Sequence, residues 1–246
     1  LLREQSITSS SLIVASDRRF QQEGDIVLDR LPTTREAWAE FDVVILGDVR
    51  ASLFSREQLE ELRRHVSETG AGRRWLAGPG HTPQSWRGTA VADLLPLTLA
   101  GEARESSIGR WDESVTLVRT DAAESLGLID LSGGADLLAG ETWAGRVGDP
   151  QTGWSQLRWA QRIDAERLKP ATEILAYARP VSHGPLANPF RDEPAPTPLV
   201  MQMRFGAGRS MYVGTDEIWR RRYGRGEDLN ERVWLPMIRA LARERL

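Results

Sequence analysis

The sequence contains no cysteine among its 246 residues. That absence excludes disulfide bonds, thiolate metal ligands and cysteine nucleophiles together. No apolar run reaches the ~18 residues that a membrane-spanning helix needs, and no signal peptide is recognisable. Lysine occurs only once, at Lys169, so arginine carries the rest of the positive charge.

The chain also lacks an excess of charge of either sign. Its formal net charge is -3, and no basic field favours nucleic acid or anionic lipid. Apolar residues make up 40% of the sequence, which is enough for a hydrophobic core. We therefore expect one globular domain over residues 1–246, with no nucleic acid partner and no direct membrane contact.

Two strand-like segments flank a helix with clear start and stop signals. Residues 41–48 (FDVVILGD) form a continuous apolar run, which is typical of a parallel strand covered on both faces. Ser55 and Gln58 have capping-box spacing, and Gly70 should end the helix that they begin. A second strand is predicted at 74–77 (RWLA). This order predicts a right-handed βαβ unit in a parallel sheet.

The other elements have weaker signals. Two strand-like segments flank Gly206-Ala207-Gly208, which predicts a β-hairpin. Residues 179–198 are rich in proline, and we expect a long surface loop there. Thr33 and Glu36 repeat the capping-box spacing, whereas His65 lies off the apolar stripe of its helix and should be exposed. Further short strands are predicted at 11–15, 114–118 and 173–178.

Four segments, in order, resemble the class I glutamine amidotransferase-like superfamily: 41–49 (FDVVILGDV), 74–83 (RWLAGPGHTP), 92–96 (ADLLP) and 206–223 (GAGRSMYVGTDEIWRRRY). They look most like a branch of amidotransferase-like domains in large bacterial proteins. The resemblance implies a three-layer α/β fold with a mostly parallel, flavodoxin-like sheet and a late β-hairpin. It also implies one more strand before residue 1, and a longer parent protein that is often membrane-anchored.

The resemblance places a degenerate catalytic site on this chain. Active members of that superfamily have a Gly-x-Cys-x-Gly turn after one strand and a His-x-Glu segment after a late strand. The His and Glu activate the cysteine thiolate, which lies beside an oxyanion hole. Here the nucleophile position falls on Gly78 or Pro79, and Thr215 occupies the histidine position. Only Glu217 remains. Glutamine hydrolysis by that route is therefore excluded, and we expect no catalytic residue, cofactor or resident metal.

Polar residues after the predicted strands are the remaining binding candidates, because ligands collect at the carboxyl ends of parallel strands. They are Asp48, His81 and Asp216, with Trp219 as a wall and Arg220 as an anion-binding group. Each also has a structural interpretation. Asp48 and His81 would then hold their own turns, Asp216 would cap a helix, Trp219 would pack in the core, and Arg220 would lie on a solvated helix face.

Three functions are open at this point. The first is a catalytically inactive domain that binds other domains of its parent or a protein partner. The second is a hydrolase of a sugar or amide that uses Asp48, His81, Asp216 and Glu217, with a divalent cation between them. The third is a phosphate-binding domain built on Gly78-Pro79-Gly80, although Pro79 removes an amide donor that such a loop needs. The first is the function that we favour.

Overall fold

A computed structural model describes residues 7–14, 20–28, 30–99, 108–129, 156–180, 195–218 and 228–242. Eleven strands occur in these segments: β1 (Ser10–Val14), β2 (Phe20–Gly24), β3 (Val43–Leu46), β4 (Gly72–Leu76), β5 (Gly109–Arg110), β6 (Val115–Arg119), β7 (Gln156–Leu157), β8 (Gln161–Arg162), β9 (Thr172–Pro180), β10 (Thr197–Phe205) and β11 (Gly208–Val213). The α-helices of the same segments are α1 (Arg35–Ala39), α2 (Arg56–Thr69), α3 (Asp121–Ser125) and α4 (Asp228–Ala242). Short 3-10 turns lie at Ala51–Leu53, Gln84–Trp86, Ala90–Leu94 and Ala165–Arg167.

Seven of these strands form the main sheet, in the order β3-β4-β11-β10-β9-β6-β7. The α/β class expected from the sequence is confirmed, but the mostly parallel sheet is wrong. Only the neighbouring pairs β3–β4 and β4–β11 are parallel, and the other four neighbouring pairs are antiparallel. The result is not a clear flavodoxin-like three-layer sheet. The predicted βαβ unit correctly makes β3 and β4 parallel. It carries no information about the direction of the antiparallel strands β10, β9, β6 and β7.

The βαβ unit forms as its local signals predict. The Ser55 side chain accepts a hydrogen bond from the Gln58 amide, and the Gln58 side chain accepts one from the Ser55 amide, which completes the capping box. Gly70 ends α2 in the left-handed conformation with φ 80°. The apolar stripe of α2 is buried against the sheet. The predicted hairpin is also confirmed, because β10 and β11 join through a turn at Gly206, where φ is +61°.

The sheet separates two hydrophobic clusters. One contains α4 residues Val233, Met237 and Leu241. The other contains α2 residues such as Leu62 together with the buried Trp75 and Trp86, whose rings meet edge to face at 5.0 Å. Of the tryptophans that the structure describes, Trp38, Trp75, Trp86 and Trp111 are buried core residues.

Strand β3 is less buried than its apolar sequence predicts, and its neighbour β4 buries two charged side chains. β3 forms one edge of the sheet, and Ile45 is 39% exposed, so the expectation of a strand covered on both faces is wrong there. β4 lies inside the sheet and carries Arg73 and Arg74, both fully buried. Their guanidinium nitrogens have no hydrogen-bond partner within the described structure.

Each buried guanidinium lies instead on an aromatic ring. The Arg73 guanidinium carbon is 4.3 Å from the ring centroid of Trp75, and that of Arg74 is 3.8 Å from the ring centroid of Trp234 on α4. Cation–π contact offsets part of the cost of removing these charges from water. Burial lowers the pKa of both groups, in Arg74 to about 9.

Several local predictions need correction. The strand predicted at 11–15 is β1 (Ser10–Val14), which pairs with β2 and is half exposed. α1 is capped by Thr34, one residue later than predicted, because its side chain accepts from the Ala37 amide. The proline-rich segment is shorter than 179–198, since β9 includes Pro180 and β10 includes Pro198 beside a register shift. Residues 181–194 lie outside the described part.

His65 is a buried structural residue, so its predicted exposure is wrong. Its Nε2 lies 2.8 Å from the Phe41 carbonyl oxygen, and its Nδ1 lies 3.0 Å from the Thr69 hydroxyl. Its ring also stacks on Trp38 at 6.5 Å between centroids. Because polar partners for both ring nitrogens lie close by, the imidazole is tolerated inside the domain.

Candidate functional site

The two turns to which the family resemblance assigned a degenerate catalytic site lie side by side, at the carboxyl ends of β4 and β11. These strands are parallel neighbours, with Leu76 opposite Val213. The pairing continues past the strands, because the Ala77 amide donates to the Val213 carbonyl at 2.9 Å. Gly78 therefore follows β4 close to where Thr215 follows β11. The turns after β4 and β11 are therefore adjacent, as the sequence predicts.

Asp48, which follows β3, holds the turn that follows β4. Its carboxylate accepts three backbone hydrogen bonds, from the amides of Gly80 (2.7 Å), His81 (2.6 Å) and Thr82 (2.7 Å). Three amide donors converging on one anion form the kind of concavity that binds oxyanions. Here an internal carboxylate fills it, so the binding candidate Asp48 is a structural anion.

Gly78 is needed for this arrangement. A Cβ at Gly78 would lie 2.3 Å from the Cβ of Asp48 and 2.5 Å from its Oδ2. Gly80 has more space, since its Cβ would lie 3.0 Å from the same oxygen. Gly78, one of the two positions to which the resemblance assigned the nucleophile, therefore has no room for a side chain while Asp48 occupies the turn.

The His81 ring is hydrogen-bonded to a cation. Arg50 donates through Nε to the His81 Nε2 at 3.1 Å. Nε2 is therefore an acceptor, and the neutral imidazole carries its proton on Nδ1. A ring whose Nε2 lone pair already receives a guanidinium proton is poorly placed to act as a base through that nitrogen.

Thr215 and Glu217 hold a different backbone segment, just before β8. The Thr215 hydroxyl donates to the Trp159 carbonyl at 2.7 Å and accepts from the Glu217 amide at 3.0 Å. The Glu217 carboxylate, which is 7% exposed, accepts from the amides of Arg158 and of Trp159 (2.9 Å). Both side chains thus fasten the 158–159 segment to the end of β11.

A buried polar chain that the sequence did not reveal links these two turns. The Tyr212 hydroxyl donates to the Gln161 Oε1 at 2.5 Å, and the Gln161 Nε2 donates to the Thr82 carbonyl at 2.9 Å. Thr82 in turn accepts from the Trp86 indole and donates to the Gly47 carbonyl. Burial raises the pKa of Tyr212, and the nearby Asp48 carboxylate raises it further, against the opposite effect of the Gln161 hydrogen bond. Gln161 follows no motif, so no sequence signal marked it.

The structure brings only part of the candidate set together. Asp48 and His81 share one turn, whereas Glu217 is bound to the 158–159 segment. Asp216 is exposed. Trp219 and Arg220 lie outside the described residues, so their predicted roles remain predictions. Over the described ranges no group of three or more His, Asp or Glu side chains is arranged to hold a metal ion.

No helix in the same described ranges has both the length and the apolar character needed to cross a bilayer. The longest, α4, has 15 residues and carries Glu231, Arg232 and Arg239.

Comparison with known proteins shows similarity of fold only. No protein-family model and no curated protein matches the sequence. Among solved structures, the chain is similar to cytoplasmic protein STM1381 from Salmonella typhimurium LT2, with a TM-score of 0.54, 13% identity and coverage of 95% of this chain and 96% of that one. It is also similar to cytoplasmic protein STM3548 from Salmonella typhimurium, with a TM-score of 0.55, 9% identity and 95% coverage of both chains.

Proposed function

We propose that this domain is a catalytically inactive relative of the class I glutamine amidotransferase-like superfamily, with a binding or scaffolding role in a larger bacterial protein. The observation that carries the proposal is the Asp48 carboxylate on the turn after β4. It takes up the amides of Gly80, His81 and Thr82, which are the donors that an oxyanion would need there.

The second half of the site supports the same proposal. Thr215 replaces a histidine with a hydroxyl that has no basic character near neutral pH. Glu217, the one residue of the pattern that remains, is engaged by two backbone amides. A carboxylate in that state orients no base, so the groups that would carry out acyl transfer serve instead to hold two turns.

The other two functions receive no comparable support. The hydrolase hypothesis needs Asp48, His81, Asp216 and Glu217 around one point. The hydrogen bonds of Asp48 and Glu217 direct these two carboxylates to different backbone segments. The phosphate hypothesis needs free amides at 78–80. The Gly80 amide is bound to Asp48, and Pro79 has none.

An ammonia-release assay tests the inactive role. Purified protein is incubated with L-glutamine, and separately with chromogenic amide and glycoside substrates, with and without Mg²⁺ or Zn²⁺. We expect no turnover above a buffer blank in any of these reactions. The matched variant is Asp48→Ala, which frees the three amides without adding a nucleophile, and we expect it to be equally inactive.

Turnover by a contaminant has to be separated from turnover by the domain. Activity that co-purifies with the protein and disappears on His81→Ala or Glu217→Gln would contradict the proposal. Activity that survives both variants at the same specific rate is assigned to a contaminant only if it separates from the protein on a second column; otherwise it too contradicts the proposal.

A further inference from the structure

The turn after β4 is held by several contacts that do not involve Asp48. The Thr82 carbonyl accepts from the Gln161 Nε2 at 2.9 Å, and the Thr82 hydroxyl donates to the Gly47 carbonyl at 3.0 Å. The same hydroxyl accepts from the indole of Trp86, and both Thr82 and Trp86 are fully buried. We therefore expect the amides of residues 80–82 to stay converged when the Asp48 carboxylate is removed.

The Asp48 carboxylate is bound in this turn as a separate small anion would be. Its Oδ1 accepts from the amides of His81 and Thr82, and its Oδ2 accepts from the amide of Gly80, at 2.6–2.7 Å. The donors lie 32 to 34 residues further along the chain, so local chain geometry does not impose the contact. What the three amides recognise is the carboxylate group itself.

Gly78 closes one face of this site. A Cβ on Gly78 would lie 2.3, 2.4 and 2.5 Å from the Cβ, Cγ and Oδ2 of Asp48. Three nearly equal distances place that point over the flat face of the carboxylate. Phosphate and sulfate carry oxygens on both sides of the plane that any two of their oxygens define with the central atom, so one oxygen would fall against Gly78. The site therefore fits a planar carboxylate and excludes a tetrahedral oxyanion.

Solvent reaches the site. Gly80 is exposed, and Asp48 and His81 are partly exposed and line a cavity of about 1810 Å³. Arg50, which donates to His81 through Nε at 3.1 Å, places a positive charge beside the turn. Once the Asp48 side chain is removed, a small anion has both a path to the amides and a favourable local charge.

We propose that the turn after β4 is a carboxylate-binding site that Asp48 keeps closed as an intramolecular ligand. In the native chain the site takes no external anion. Removal of the Asp48 side chain opens it to small planar carboxylates, of which acetate has the same heavy atoms as the lost side chain. The proposal goes beyond the inactive role and does not depend on it.

Rescue of a variant by added anion provides the test. Asp48→Gly is unfolded with urea at increasing sodium acetate, and sodium chloride keeps the ionic strength constant. We expect about 0.5 M acetate to lower its unfolding equilibrium constant about tenfold, as a Kd of roughly 50 mM implies. The unaltered protein and the core variant Leu62→Ala report the general salt effect and should change by less than about twofold. An equal response of Asp48→Gly and Leu62→Ala would overturn the proposal.

Two comparisons locate the anion. In Asp48→Ala the remaining Cβ takes the place of the acetate methyl group, so formate should give about tenfold rescue and acetate less than about twofold. Adding Gly78→Ala to Asp48→Gly places a Cβ against the bound anion and should remove the rescue. Rescue that survives Gly78→Ala would mean that the anion binds elsewhere, and it would contradict the proposed site.

Sulfate tests the shape of the site. At equal ionic strength it should stabilise Asp48→Gly and Leu62→Ala by the same factor, because it acts only as a general stabilising salt. A larger effect on Asp48→Gly would show that a tetrahedral oxyanion fits and would overturn the assignment to planar carboxylates. If Asp48→Gly is unfolded in plain buffer, every titration is run in about 1 M sucrose, which favours the folded state of all variants.

Amide resonances provide a direct readout. In ¹⁵N-labelled Asp48→Gly the amide signals of Gly80, His81 and Thr82 should shift on addition of acetate, and those of the unaltered protein should not. Equal shifts in both proteins would mean that Asp48 does not close the site. Ammonia release from glutamine would end the inactive role and leave the carboxylate site standing. Absence of rescue would end the carboxylate site and leave the inactive role standing.

Discussion

Two sets of polar groups on neighbouring strands differ in whether they have hydrogen-bond partners. At the carboxyl ends of β3, β4 and β11, the side chains of Asp48, Thr215 and Glu217 have backbone partners at hydrogen-bonding distance. In the middle of β4, the guanidinium groups of Arg73 and Arg74 stack on aromatic rings and have no hydrogen-bond partner within the described structure.

The contrast indicates which groups hold the domain together. A carboxylate that accepts several amide hydrogen bonds stabilises the turn that supplies them, whereas a buried cation without a hydrogen-bonded partner costs free energy that only stacking offsets. Thus the polar side chains at the strand ends, where an enzyme would keep reactive groups free, are hydrogen-bonded. The two guanidinium groups in the middle of β4, where apolar side chains would be favourable, are not. Substitutions at the two places should therefore have opposite signs.

Asp48→Ala should have the largest effect. It removes the acceptor of three amides at once and leaves their donors partly buried, so we expect the free energy of unfolding to fall by about 3–5 kcal/mol. Urea unfolding followed by circular dichroism measures this. Asp48→Asn keeps one acceptor oxygen and should lose only about 2 kcal/mol. A loss below about 1 kcal/mol for Asp48→Ala would show that the turn is held by other contacts.

Gly78→Ala should come next and should depend on Asp48. The new Cβ would collide with the Asp48 side chain, and displacing that side chain costs much of what its removal costs, roughly 3 kcal/mol. In an Asp48→Gly background the collision disappears, because glycine also lacks the Cβ that would lie 2.3 Å away, so Gly78→Ala should then cost less than about 1 kcal/mol. A double-mutant cycle by urea unfolding measures the coupling. Additive effects would contradict the proposed contact.

Arg73→Leu tests the other side of the comparison and should stabilise the protein. Replacing a buried cation that lacks hydrogen bonds by an apolar side chain is expected to raise the free energy of unfolding by about 2 kcal/mol, after the loss of its contact with Trp75. Arg63 offers a matched control, because it also lies over an aromatic ring, Phe205 at 5.2 Å, but is partly exposed. Arg63→Leu should change stability by about 0.5 kcal/mol or less. Destabilisation by Arg73→Leu would mean that the guanidinium has a role beyond stacking.

The contrast also bears on how far the sequence could predict the structure. Capping at Ser55, the end of α2 at Gly70 and the hairpin at Gly206 depend on a few adjacent residues, and all three formed as expected. The direction of β6, β9 and β10 depends on pairing between distant segments, which no local pattern encodes. The same limit applies to burial. Arg73 and Arg74 have the character of polar surface residues, and only their place between β3 and β11 buries them.

The adjacency of the turns after β4 and β11 was predictable from the sequence, and the contacts of their side chains were not. The strand-end rule correctly brought the turns after β4 and β11 together. It could not indicate that Asp48 turns inward to the amides of Gly80, His81 and Thr82, since that contact spans more than thirty residues of sequence. Gln161, which joins the two turns through Tyr212, lies in a segment with no helical or strand period. Its role arises from tertiary packing alone.

Tyr212→Phe should have the smallest effect at neutral pH and a distinctive dependence on pH. Losing the hydrogen bond to Gln161 should cost about 1 kcal/mol at pH 8. Burial raises the pKa of Tyr212 in the folded chain, so above pH ~10 the unfolded chain releases the phenol proton and the folded chain keeps it. The unaltered protein therefore loses about 1.4 kcal/mol per pH unit from this group above that point, and the variant does not. Urea unfolding from pH 8 to 11 should show the difference between the two proteins vanish near pH 11. A constant difference would mean that the Tyr212 hydroxyl is not part of the buried chain that joins the two turns.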